Sequence, residues 1–191
     1  MAVNQRIFAA AADAIEIFFV GNDFGSQNGP LLSPAQFERF MLPHIKRLID
    51  LGHAHHLKVQ LHCCGGSEPL IPAMIAAGLD ALHAIQPCCR GTDLRLLKTG
   101  FDGQFPFNGA IDSHHVLIKG DPRTVREKTR EVLETLMPGG GYVAGPVTIR
   151  SWKKRRSRTS WQCSMPWLSS GSIRRVPEVT HNPWPQQPDF C

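Results

Sequence analysis

The chain has 191 residues, 42% hydrophobic and 19% charged, which suits one soluble domain with a real core and excludes a low-complexity or fibrous protein. It is short of the about 250 residues of a complete (β/α)₈ barrel, and no apolar run reaches the roughly 20 residues needed to span a bilayer. The formal charge of +5 is unevenly placed: residues 1–146 hold 13 Lys and Arg against 14 Asp and Glu, a net of −1, whereas residues 147–191 hold 8 against 2, a net of +6. The body therefore gives no electrostatic reason to expect nucleic acid.

In chain order, Ile15–Val20 is a near-continuous apolar run, which predicts a parallel strand buried on both faces. Asp13 and Glu16 interrupt the apolar stretch of the N-terminal residues, so it does not read as a signal peptide and a cytoplasmic protein is expected. Ser33, Pro34 and Gln36 form a capping box with proline in the first helical position, and Phe37, Phe40, Met41, Ile45, Leu48 and Ile49 follow at helical spacing. Pro43 predicts a kink or break within that helix.

A second strand is predicted over Lys58–Cys63, running into Gly65 and Gly66, then a helix over Pro69–Ala77. Ala81–Ile85 is the third strand and Thr92–Thr99 a short helix. Phe105–Gly109 is the fourth strand, Pro122–Leu136 the clearest helix, and Gly141–Ala144 the fifth strand. Strand and helix in strict alternation imply right-handed crossovers and a parallel sheet. The α/β class follows, either a (β/α)₈ TIM barrel or an open doubly wound sheet; no glycine-rich phosphate fingerprint follows the first strand.

Polar residues fall at the ends of the first four strands: Asp23, His62, Gln86 and Asp112. In a barrel that position lines the mouth of the active site. His62 and Cys64 are two apart at a strand end, so their side chains share a face, and imidazole with thiolate is a zinc-type ligand pair. The same pattern also fits a buried Cys-Cys beside a hydrogen-bonded His, and the body offers no obvious third ligand. Asp23 and Asp112 are the acid candidates; partial burial of Asp23 behind an apolar strand would suit it to proton transfer, while a loop cap is the plainer role for either. Gln86 and Asn108 are candidates to hydrogen-bond a polar substrate, or to satisfy loop backbone. His114 and His115 read as solvated and Cys88–Cys89 as structural. Cysteines in adjacent pairs point to free thiols or ligands rather than disulfides.

Several blocks in order, GNDFGSQNGPLLSPAQFERFMLPHIKRLID, VQLHCCGGSEPLIPAMIAAGLDALHAIQP, FNGAIDSHHVL and PGGGYVAGP, resemble the C-terminal half of uroporphyrinogen decarboxylase-like proteins. The resemblance spans roughly residues 5–146. It implies a (β/α)₈ barrel, of which this chain would hold about the last five βα units. It also implies one of two activities. One is metal-free decarboxylation of a tetrapyrrole in haem synthesis. The other is zinc-dependent methyl transfer between a corrinoid, carried by a partner protein, and a small thiol. In the methyltransferase branch a His-x-Cys at a strand end binds zinc, and His62 and Cys64 match it. The decarboxylases carry Gly-His-Gly in this neighbourhood, where this chain has His-Cys-Cys-Gly-Gly, so the resemblance leans to the methyltransferase side. It also implies a fragment, inactive alone, since family members have strands before this chain's first. A homodimer completing one barrel from two copies is the assembly such a sheet admits.

The resemblance stops after Pro146. Residues 147–191 hold all four Trp and the run KKRRSR. Read one register over, the codons permit a His-containing loop and then an apolar pattern of helical period. One Glu is forced by Trp152 before Lys153 and one Ala by Trp161 before Gln162. The tail is expected to be translated out of frame. The alternative is a genuine basic tail, with Pro183, Pro185 and Pro188 favouring disorder.

Overall fold

A computed structural model describes residues 1–101 and 105–147. Five strands, β1 (Ile17–Gly21), β4 (Lys58–His62), β5 (Ala81–Ile85), β6 (Phe107–Ile111) and β7 (Tyr142–Pro146), form one sheet in the order β1-β4-β5-β6-β7. Every neighbouring pair is parallel. A small antiparallel hairpin of β2 (Gly25–Ser26) and β3 (Gly29–Pro30) follows β1. The helices are α1 (Ala2–Ala11), α2 (Pro34–Gln36), α3 (Leu42–Ala54), α4 (Ile71–Ala76), α5 (Leu94–Phe101) and α6 (Pro122–Leu136). Strand order equal to chain order, with a helical crossover between successive sheet strands, is the winding of part of a (β/α)₈ barrel. No helix among the described residues is long and apolar enough to cross a membrane.

The core lies on one face of the sheet. Val59, Leu61, Leu82 and Phe107 point to the helical layer, where Phe37, Ile49, Leu70, Ile71, Met74 and Leu136 are all but inaccessible to solvent. Each such Leu contributes on the order of 2 kcal/mol by burial. The other face carries Phe19, Gln60, His62, His83, Asn108 and Val143, in register across the strands. That is the face a closed barrel would turn inward.

The capping box forms as read: Ser33 Oγ accepts the Gln36 N–H at 3.3 Å, and Gln36 Oε1 accepts the Ser33 N–H at 3.2 Å. The irregularity expected at Pro43 is a π-helical turn, Phe37–Met41, just before α3. Pro43 has no N–H to continue an α-helical ladder, and the wider turn absorbs the gap.

Several expectations are corrected. Ala2–Ala11 is a helix that the sequence reading did not predict; it is alanine-rich, and Phe8 anchors it edge-on to Phe18 at 4.8 Å. The first strand starts at Ile17 because a 3₁₀ turn over Ala12–Ala14 follows α1. It is not buried on both faces, since Ile17 and Phe19 remain about half exposed on the inner face. The fourth strand starts at Phe107, because Pro106 cannot donate to a ladder. The helix expected from Thr92 starts at Leu94, since Asp93 Oδ1 accepts the N–H groups of Arg95 and Leu96 at 2.8 and 3.1 Å. The expectations for the tail concern residues 148–191, outside the described residues; Val147 is buried, its N–H on the Ile111 carbonyl.

Candidate metal centre at the strand ends

Because the sheet is parallel, every residue that follows a strand lies at the same end of it. Asp23 follows β1, His62 closes β4 with Cys64 beyond it, Gln86 follows β5 and Asp112 follows β6. The expected rim therefore exists, and its side chains divide into two clusters.

The first cluster joins Asp23, His62 and Cys64, whose ligand atoms all lie within 4.8 Å of one another. Asp23 Oδ1 is 3.5 Å from His62 Nε2 and accepts both the Cys64 N–H, at 3.0 Å, and the Cys64 thiol, at 3.2 Å. The sequence offered no third partner for His62 and Cys64; the register of β1 on β4, with Gly21 opposite His62, supplies Asp23. The partial burial expected of Asp23 is absent, its side chain being 53% exposed. Burial first, and then hydrogen bonding and charge from Asp23, push the Cys64 thiol up to about 12. Without a cation this thiol stays protonated at neutral pH.

Two glycines make the cluster fit. Gly65 has φ +90, and a Cβ on it would lie 2.5 Å from the Gly25 carbonyl carbon; one on Gly25 would lie 2.7 Å from the Cys64 oxygen. The loop after β4 and the hairpin after β1 thus touch backbone to backbone, which glycine alone permits at such a distance. Gly66 N–H donates to the Ser26 carbonyl at 2.9 Å and ties the same two segments.

Behind His62 lies His83, on β5 and directly opposite in register. The two Nδ1 atoms are 2.7 Å apart, and Phe19 packs its ring 5.5 Å from that of His83. Desolvation, and then the charge of His62, push His83 down to about 4, so it is neutral at pH 7. His83 went unnoticed in the sequence. The available signal was a lone polar residue inside the apolar strand Ala-Leu-His-Ala-Ile.

The second cluster is Cys88, Asp112 and His115, again with ligand atoms within 4.8 Å. Asp112 caps a π-helical segment, Ser113–Ile118: its Oδ1 accepts the N–H groups of His114 and His115 at 2.7 and 3.0 Å, and Oδ2 lies 2.9 Å from His115 Nδ1. Burial pushes the Asp112 carboxyl up, but those N–H groups and the His115 ring outweigh it and hold it below the usual range. Asp112 is therefore a carboxylate at neutral pH, fitted to accept rather than to give a proton. Gln86 bridges the clusters, its Oε1 accepting the Gly65 N–H at 3.2 Å and its Nε2 donating to Cys88 Sγ at 3.4 Å. Asn108 sits on the inner face, paired with His83 and Val143.

Comparison with known proteins agrees with this architecture. Among solved structures, a methyltransferase from Methanosarcina mazei aligns with a TM-score of 0.56 at 16% identity, over 78% of this chain and 43% of that one. The chain thus spans less than half the length of that methyltransferase, and the likeness is one of fold. No curated protein matches. The sequence profile of uroporphyrinogen decarboxylase (URO-D) matches residues 1–147, most of the chain and every described strand, and the chain belongs to the uroporphyrinogen decarboxylase family.

Proposed function

We propose that the chain holds zinc through Asp23, His62 and Cys64 and serves in methyl transfer between a small thiol and a corrinoid carried by a partner protein. The observation that carries the reading is the convergence of a carboxylate, an imidazole and a thiol within 4.8 Å at the strand ends. All three are donors that zinc accepts, and three protein ligands leave one position of a tetrahedron open. Zinc bound there would lower the pKa of a substrate thiol and keep it as the thiolate nucleophile.

The remaining work falls to the chain itself. Neutral His83 accepts the Nδ1 proton of His62, which leaves the His62 Nε2 lone pair on the side of Asp23 and Cys64. Asp23 acts as ligand rather than as the acid, because it already receives the Cys64 N–H and thiol. Gln86 holds the Gly65 loop in place. Asn108, on the inner face beside His83, is the group offered to a polar part of the substrate. Asp112 takes no part at this centre.

The test is the zinc content of the purified chain and of His62→Ala and Cys64→Ser, together with loss of methyl from methylcobalamin to added thiols. The expected result is one equivalent of zinc lost in either variant, with any thiol methylation lost alongside it. Unchanged zinc in both variants would overturn the reading, as would turnover of uroporphyrinogen by the metal-free chain, the mark of a tetrapyrrole decarboxylase.

A further inference from the structure

We propose that Cys88, Asp112 and His115 form a second zinc site, separate from the first and built on the next two strand ends. The donors are of three kinds, thiol, carboxylate and imidazole, and they come from two segments far apart in sequence: the loop after β5, and the turn that opens at the end of β6. Their meeting depends on the β5–β6 pairing, which carries a register shift between His83 and Ile85 just before Cys88. Thiolate, imidazole and carboxylate together select zinc over the oxygen-preferring magnesium and calcium.

The surroundings are those of a supported ligand set. Asp112 Oδ1 is held by two backbone N–H groups, which fixes the carboxylate and leaves Oδ2 facing His115. Gln86, itself 5% exposed, donates to Cys88 Sγ from behind, the kind of outer contact that aims a metal-binding thiolate. On binding, the Asp112–His115 hydrogen bond gives way to two bonds to the metal.

A route of entry is present as well. Cys88 and Asp112 border a cleft of about 1150 Å³ that runs between α5 and α6, and the His115 side chain is 62% exposed. Three protein ligands leave a fourth position open for water or a small ligand. The neighbouring Cys89 lies outside the set: both thiols reach Gln27 Oε1, Cys89 at 3.6 Å and Cys88 at 3.9 Å, but Cys89 is buried whereas Cys88 is exposed and near Asp112 and His115.

The experiment uses the full chain with Cys64→Ser, which removes the first centre, and with Cys163→Ser and Cys191→Ser, which remove the thiols of the C-terminal residues. Zinc is titrated against a chromophoric chelator, and cobalt(II) is titrated in parallel for its thiolate charge-transfer band. One equivalent of zinc and a thiolate band are expected to remain. Adding Cys88→Ser or His115→Gln should weaken zinc at least about tenfold, and Cys88→Ser should abolish the band. Cys89→Ser should leave both intact. His115→Gln alters an exposed side chain, so its effect is separable from misfolding by an unchanged melting temperature. No zinc retained in the background chain, equal affinity in the Cys88 and His115 variants, or a loss with Cys89→Ser as large as with Cys88→Ser would each overturn the assignment. Failure of the first centre would appear only on changing Asp23, His62 or Cys64, so the two assignments stand or fall separately.

Discussion

The Nδ1 atoms of His62 and His83 lie 2.7 Å apart across the paired strands β4 and β5. At that distance only one of the two Nδ1 atoms carries the proton between them, so one ring donates and the other accepts. His83 is the more buried ring and is held neutral, which makes it a fit acceptor. It then dictates which nitrogen of His62 faces Asp23 and Cys64. His83→Gln is accordingly expected to weaken zinc at the first centre about 10- to 100-fold, as the loss of an orienting partner does elsewhere. Competition with a chelator measures it. Equal affinity in variant and parent would mean that the pair does not orient His62.

The same burial makes stability depend on pH. His83 falls from its ordinary 6.5 to about 4 in the folded chain, by desolvation first and the charge of His62 second. Between those values the unfolded chain binds the proton that the folded one refuses. Stability contributed by neutral His83 is complete above pH 6.5 and declines as pH drops toward 4, by on the order of 2 kcal/mol. Urea midpoints of the metal-free chain across that window should fall with acidity, and His83→Gln should flatten the slope. An identical slope in the variant would assign the acid sensitivity to other groups.

Gly65 is the position where substitution should damage the first centre without touching a ligand. Its φ of +90 disfavours any side chain, and a Cβ would meet the Gly25 backbone at 2.5 Å. Strain and overpacking together predict a loss of at least about 2 kcal/mol for Gly65→Ala. Zinc at Asp23, His62 and Cys64 should weaken in the surviving folded fraction, because the hairpin that bears Gly25 also follows Asp23. Denaturant unfolding and zinc titration of this variant check both parts.

These residues also mark what was readable beforehand. The alternation of apolar runs with capped helices gave the parallel sheet, and the position of His62 and Cys64 at a strand end gave a candidate ligand pair. Both are local patterns. Asp23 was visible as a residue but not as the third member of the set, since that depends on β1 lying beside β4 with Gly21 opposite His62. The partner of His83 lies across the paired strands, and His115, which reads as solvated, meets Asp112 three residues earlier but Cys88 only through the fold. Cys88, read as structural, meets Asp112 only through the shifted β5–β6 register. Helix and strand bounds moved by about two residues wherever a proline or a capping Asp set the first hydrogen bond, as at Pro106 and Asp93.

The contact between Asp23 and Cys64 allows a test that needs no metal. Burial raises the Cys64 thiol first, and the Asp23 carboxylate raises it further, both by accepting the thiol proton at 3.2 Å and by its charge. Asp23→Asn removes the charge, leaves at most a weaker neutral acceptor at the thiol, and leaves the burial unchanged. The thiol should therefore move down from about 12 yet stay above its ordinary 9. At a fixed pH near 8 the thiolate fraction rises, and alkylation of the peptide that carries Cys64, followed by mass spectrometry, should quicken by roughly tenfold or more, one pKa unit being tenfold in that fraction. Cys63, buried and facing the Phe24 N–H at 3.3 Å, should remain slow in both proteins and serves as the internal reference. If Cys64 reacts no faster in Asp23→Asn, its reactivity is governed by access rather than by the carboxylate, and Asp23 is not close enough in solution to complete a ligand set with it.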